Sequence, residues 1–240
     1  VDYQVAITLI AAYGVTDNLE VGISLPFYPA VKHQPISGGT SSTDASLGDI
    51  SLAAKFRLWS WDNNTLSMGF AVSPFITLPT GDEDTFTGNE SLTGGLKAIY
   101  DLKMGQNKFV ANVGLKFREE EEFANLTIGQ ELTYGFGYTR PIVEDMDLHV
   151  LTEFNGSSSF NKFLSQANHN PIEWLFGVKK GFLDSKVNLS VGASIGLDQG
   201  YGVPDYRVFT NLSYTSLPLP KKEPKVKTEA ESETIERRYS

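Results

Sequence analysis

From residue 50 to residue 58 the apolar side chains of Ile50, Leu52, Ala54, Phe56 and Leu58 alternate with Ser51, Ala53, Lys55 and Arg57. A strand sends successive side chains to opposite faces, so this stretch has one greasy face and one wet face. The same two-residue period returns in segment after segment between Val1 and Ser216, broken by short turns and long polar loops. No packed helical domain fits such a pattern. A run of half-apolar strands with alternating loop lengths predicts an all-β fold, a transmembrane antiparallel up-and-down β-barrel.

Eleven segments carry the period: residues 1–13, 19–27, 48–60, 66–78, 92–102, 109–117, 132–138, 148–154, 172–178, 187–197 and 206–214. Short turns follow the first, third, fifth, seventh and ninth, among them Asp17–Asn18, Asp62–Asn64, Gly105–Asn107 and Asp184–Ser185. Longer polar loops follow the others, including residues 31–47, 81–90 and 156–170 and the glutamate run Glu119–Glu122. Outer-membrane barrels keep short turns in the periplasm and long loops outside, so the first and eleventh segments both run toward the periplasm. Bacterial single-chain barrels have an even strand number with both ends periplasmic. The expectation is therefore a barrel over residues 1–216 with eleven strands here and twelve in the intact protein, the missing one being the first. Beyond Ser216, proline and mixed charge without an apolar period predict an extended periplasmic linker over residues 217–240, leading toward an absent C-terminal domain.

Composition removes several function classes. No run approaches 18 consecutive apolar residues, so no helix crosses a bilayer, and a mean hydropathy of −0.19 is what alternating strands give. The chain has no cysteine, which leaves no thiol or disulfide chemistry and suits a periplasm-facing compartment. A net charge of −9 and a pI near 4.9 argue against nucleic acid as a partner.

If the apolar set faces lipid, the lumen receives a basic wall of Lys55, Arg57, Lys97, Lys103, Lys108, Lys116 and Arg118 from the third to sixth segments. It receives an acidic wall of Glu131, Asp147, Glu153 and Glu173 from the seventh to ninth. Two outcomes fit: a transverse field across a water-filled channel, or charges that pair and plug a narrow interior. Tyr13, Phe27, Trp59, Trp61, Tyr138, Trp174, Tyr206 and Tyr214 fall near segment ends, as aromatic girdles do. The histidines are His33 and His169 in loops and His149 on the lumen face, with Glu153 further along that face. No nucleophile motif accompanies them, no His–carboxylate spacing suits a metal, and no cofactor is expected. The acidic loops containing Asp82, Glu83, Asp84 and Glu119–Glu122 are read as solvated, with cation bridging to lipopolysaccharide phosphates as the alternative. The lumen-facing glycines, Gly95 among them, leave room inside or let strands curve.

Several strings carry a family likeness. Gly48–Asp49 opening a strand, Leu78–Pro79–Thr80–Gly81 closing the next, and Gly202 to Val208 entering the last resemble the barrel of OmpA-family outer-membrane proteins, and most closely those grouped with phenol degradation. The resemblance covers nearly all of residues 1–216. It implies a proline-rich linker to a peptidoglycan-binding domain, for which this sequence has no matching residues. The last segment also resembles the signal read by the barrel assembly machinery, with Tyr206, Val208, Leu212 and the terminal aromatic Tyr214. The function expected is a narrow diffusion channel for small solutes, or the membrane anchor of a periplasmic peptidoglycan-binding protein, in contact with outer-membrane lipid and lipopolysaccharide. The alternatives are a soluble β-barrel or sandwich that binds a ligand, and an outer-membrane enzyme.

Overall fold

In a computed structural model of the chain, the alternating segments pair edge to edge. The structure describes residues 2–33, 42–63, 65–82, 85, 87–89, 91–123, 126–160, 163, 170–198, 200 and 202–216, with backbone only for 121–123 and 126–128. His169, Glu83, Asp84 and the 217–240 linker lie outside the described residues.

All eleven expected strands form: β1 (Tyr3–Thr16), β2 (Leu19–His33), β4 (Ile50–Asp62), β5 (Leu66–Leu78), β6 (Thr93–Met104), β7 (Asn107–Phe117), β10 (Glu131–Val143), β11 (Leu148–Ser159), β12 (Ile172–Phe182), β13 (Val187–Gly196) and β14 (Tyr206–Tyr214). They pair antiparallel in that order, each with its neighbour in this series, and at nine to fifteen residues they are long enough to cross a bilayer. Three shorter strands occupy regions expected to be loop. β3 (Ser42–Leu47) pairs with the outer half of β2, and β8 (Glu121–Phe123) pairs with β9 (Leu126–Ile128). Half of the glutamate run therefore belongs to a small hairpin beyond the sheet.

The short turns are built by side chains that cap them. Thr16 Oγ1 accepts the Asn18 and Leu19 amides at 3.3 and 3.1 Å, and Asn63 Oδ1 accepts those of Thr65 and Leu66 at 2.9 and 2.7 Å. Gly105 turns at φ +57°, and Leu183, Asp184 and Ser185 all sit in the left-handed region.

Burial is inverted relative to a water-soluble protein. Among the described residues the one buried hydrophobic side chain is Val31, whereas Thr93, Glu131, Ser158 and Ser194 are buried polar ones. The apolar faces of the strands point outward: Leu25, Phe70, Leu96, Val113, Phe136, Phe176 and Val191 are exposed. A contiguous apolar exterior of this size is a lipid-facing surface. It sets aside the soluble barrel or sandwich.

Two of the register irregularities in the ladder redirect side chains from plain alternation. In β4, Arg57 opposes Ala71 and Trp59 opposes Phe70, so Leu58 is an extra residue. The parity flips there, and Trp59 and Trp61 join the outward apolar face beside Phe70 and Met68 instead of continuing the Lys55–Arg57 face. In β2 a second irregularity, between Tyr28 and Val31, turns Val31 and His33 to the buried side beneath β3. His33 thus ends a strand rather than lying in a loop, with Nδ1 4.0 Å from Asp44.

The ladder ends at β1 and β14, and no backbone pairing joins these two strands. Both run from the long-loop end to the short-turn end, and nearly all their side chains are exposed.

Candidate functional site

The face opposite the lipid belt is the candidate solute path. Parity and register place on it Glu20, Ser51, Lys55, Arg57, Phe75, Lys97, Asp101, Lys103, Lys108, Asn112, Lys116, Glu131, His149, Glu153, Asn155, Glu173, Lys179 and Arg207. Inward glycines make room for large neighbours on this face. A Cβ on Gly95 would meet the Phe75 ring, and one on Gly192 would meet Phe209, so small and aromatic residues interlock across adjacent strands.

The residues expected to form facing basic and acidic walls are partly brought together as pairs on neighbouring strands. Glu131 of β10 stands opposite Lys116 of β7, with its Oε2 3.5 Å from Lys116 Nζ and 3.0 Å from Arg118 Nη2. Ser157 Oγ donates to its other oxygen at 3.3 Å. Glu173 lies 3.6 Å from Arg207 Nε and accepts the Ser194 hydroxyl. Asp147 sits in the turn between β10 and β11 at φ +49°, with Oδ1 2.8 Å from His149 Nε2 and the Ser185 hydroxyl donating to Oδ2. The Ser185 hydrogen bond, then that of His149, holds the Asp147 carboxyl below the usual carboxylate range against the opposing effect of burial; the His149 and Lys179 charges act in the same direction. Glu153 keeps no ion-pair partner among the described residues.

On the basic side, Lys55 Nζ lies 2.7 Å from Glu20 Oε1. Arg57 reaches neutral acceptors in the first short turn, Asn18 Oδ1 at 3.2 Å and the Asp17 carbonyl. Lys97 Nζ stands 5.7 Å from the centroid of the Phe75 ring. Lys103 and Lys108 face each other across the β6–β7 ladder with no ion-pair partner among the described residues. Glu20, Asp101, Lys179 and Arg207 belong to this face although the sequence reading omits them. Strict parity within their own strands was the signal that would have found them.

At the long-loop end two of the strings that carry the family resemblance, Gly48–Asp49 and Leu78–Gly81, meet. Thr80 Oγ1 donates to the Gly48 carbonyl and accepts the Ile50 amide, both at 3.0 Å. Asp49 accepts the Gly81 amide at 2.9 Å and both the amide and side-chain nitrogen of Asn89 at 2.9 and 3.1 Å. Asn89 in turn accepts from Arg118 Nη1 at 3.5 Å. One network therefore runs from β4 through the 79–92 loop to the Arg118–Glu131 pair. A polar recess of about 320 Å³ opens beside it, bounded by Arg118, Gly129, Gln130 and Phe160.

His149 pairs with Asp147 rather than with Glu153. The carboxylate lies between the Ser185 hydroxyl and the imidazole, which is not the order in which a base activates a serine. Among the described residues no set of His, Asp and Glu is grouped to hold a metal ion. Glu119 and Glu120 are exposed, and the cation alternative for the rest of that run lies outside the described side chains. On the outer surface, Tyr13, Phe27, Trp59, Trp61, Trp174, Tyr206 and Tyr214 are exposed, and Trp174 donates its indole N–H to Thr152 at 2.8 Å. Tyr206, Val208, Leu212 and Tyr214 line the outward face of β14.

The model of a family described as "Putative MetA-pathway of phenol degradation" matches residues 2–200. No curated protein matches the chain. Among solved structures, an outer membrane channel from Pseudomonas putida F1 is similar at a TM-score of 0.58 and 16% identity, over 86% of this chain and 80% of that one. OpdK from Pseudomonas aeruginosa, solved with vanillate, aligns at a TM-score of 0.43 and 10% identity, over 85% of this chain and 66% of its own. OccK9 from the same organism aligns at 0.40 and 10%, over 85% and 65%.

Proposed function

We propose that this chain, which belongs to the family described as "Putative MetA-pathway of phenol degradation", is a narrow diffusion channel for small solutes in the outer membrane. The observation that carries this reading is a wet interior: Lys55, Lys97, Lys103, Lys108, Glu153 and Asn155 point away from the lipid belt and are nonetheless exposed to solvent. A plugged barrel would bury these groups against one another. The outward apolar belt and aromatic ends support placement in lipid.

Reconstitution into planar bilayers tests the reading. Discrete, stable conductance steps are expected, and insertion without conductance would defeat the channel while leaving the barrel. The position of the Asp147 carboxylate between serine and imidazole favours a non-enzymatic role. A second reading rests on the proline- and charge-rich residues 217–240, which follow β14 at its short-turn end. On that reading the barrel also anchors an OmpA-type peptidoglycan-binding domain, and co-sedimentation of the full-length protein with purified peptidoglycan tests it. Tyr206, Val208, Leu212 and Tyr214 would then serve recognition by the assembly machinery, and the outer loops would meet lipopolysaccharide.

A further inference from the structure

The lumen is not electrically symmetrical once its ion pairs are drawn. Of the carboxylates on strands β10 to β12 and the turn before β11, Glu131 is shared by Lys116 and Arg118, Glu173 is paired with Arg207, and Asp147 is held by His149 and Ser185. On strands β10 to β12 Glu153 alone keeps its charge without a cationic partner among the described residues, while in the turn before β11 Glu144, which accepts from Gln106, and Asp145 also stand outside these ion pairs. The opposite sector loses one cation of its own, Lys55, to Glu20. Arg57 reaches only neutral acceptors, Lys97 lies over a ring, and Lys103 and Lys108 sit side by side on β6 and β7, while the acids of this sector, Asp62 at the end of β4 and Asp101 on β6, form no ion pair among the described residues. The pairing therefore leaves Glu153 as the unpaired acid on the lumen face of β10 to β12, whereas on the β4–β7 wall the unpaired cations Arg57, Lys97, Lys103 and Lys108 outnumber Asp62 and Asp101.

We propose that this residual field makes the lumen selective for small anions, carboxylates among them. The claim rests on the channel reading and names the solute class that such a channel favours. An anion entering from the long-loop end gains from Lys97, then Arg57, then the Lys103–Lys108 pair, each solvated enough to release it to the next, which is what conduction requires. A cation meets Asp62, Asp101 and Glu153 singly. Lys103 and Lys108 lie beside the Gly105–Gln106 turn, so the strongest unpaired pair stands near the short-turn mouth.

The test is the reversal potential of the full-length protein in planar bilayers under a potassium chloride gradient. The expected sign is that of chloride permeating faster than potassium. The double variant K103E/K108E should lower the chloride-to-potassium permeability ratio by roughly two-fold or more, since reversing two lumen charges changes the local field directly. Glu153→Gln should raise it. Lys180→Gln, on the outward face beside Phe182, should leave it unchanged, and heat-modifiable migration confirms that each variant is folded. Potassium permeating faster, or a ratio that K103E/K108E does not move, overturns the anion assignment with the channel intact. Absence of conductance in the folded parent protein overturns the channel itself, and this assignment with it.

Discussion

Removing the carboxylate of Glu131 leaves two cations, Lys116 and Arg118, facing each other in a site where the glutamate and Arg118 are almost fully buried. Breaking such a pair from one side leaves an uncompensated buried charge and costs about 3–5 kcal/mol. Glu131→Gln is therefore expected to lower the denaturant midpoint of the barrel in detergent, with Glu153→Gln, at an exposed unpaired site, changing it little. Asp147 behaves differently because it lies in a turn at the surface. Its carboxyl titrates below the unfolded value, so its contribution is present above the ordinary carboxylate range and disappears as pH falls through the depressed value. Comparing the unfolding midpoint of the parent protein with that of Asp147→Asn across about pH 5 to pH 2 should show the parent losing more of its stability; parallel curves would show that the Ser185 and His149 bonds contribute nothing.

Strands carry the next level of the argument. A two-residue period alone would put Trp59 and Trp61 on the same face as Lys55 and Arg57. The extra residue at Leu58 turns both indoles into the lipid belt, where an amphipathic ring is best placed, and the bulge is the local price of that placement. In a Trp174→Phe background, brominated lipids should quench the tryptophan fluorescence strongly while a water-soluble quencher acts weakly; the reverse would return both rings to the lumen. Deleting Leu58 restores plain alternation with both rings still outward, so this variant should fold and show the same quenching. The same reasoning explains β3 and the β8–β9 hairpin. Their segments are short and without a sustained period, and backbone pairing, of β3 with β2 and of β8 with β9, makes them strands rather than their own pattern.

At the scale of the whole molecule the sheet has two margins, β1 and β14, that run in the same direction and find no strand partner on their outer side among the described residues, and one ascending strand between them would pair antiparallel with both. We propose that a twelfth strand closes the barrel between them. Amide exchange should then be slow along β1 and β14, as it is along interior strands such as β6. Fast exchange confined to these two strands would show an open edge and overturn the expectation. Closure would also complete the lumen wall, so the polar face and the lipid belt described above would become continuous around the axis.

Sequence alone determined that each segment is a strand, which of its faces is apolar, and the alternation of short turns with long loops, because side-chain parity and turn chemistry are local properties. It also supplied most of the lumen charges on β4 to β7, but not Asp101 of β6. Tertiary structure decided which of those charges survive. Glu131 meets Lys116 and Arg118, and Glu173 meets Arg207, only because register fixes which residues stand opposite on adjacent strands, and register depends on bulges and loops that no two-residue period records. Parity gave the expected members of a basic and an acidic wall, but not Glu20, Asp101, Lys179 or Arg207, nor the turn that holds Asp147. The inequality of the two walls was not legible there, since it arises from pairing across strands far apart in the chain.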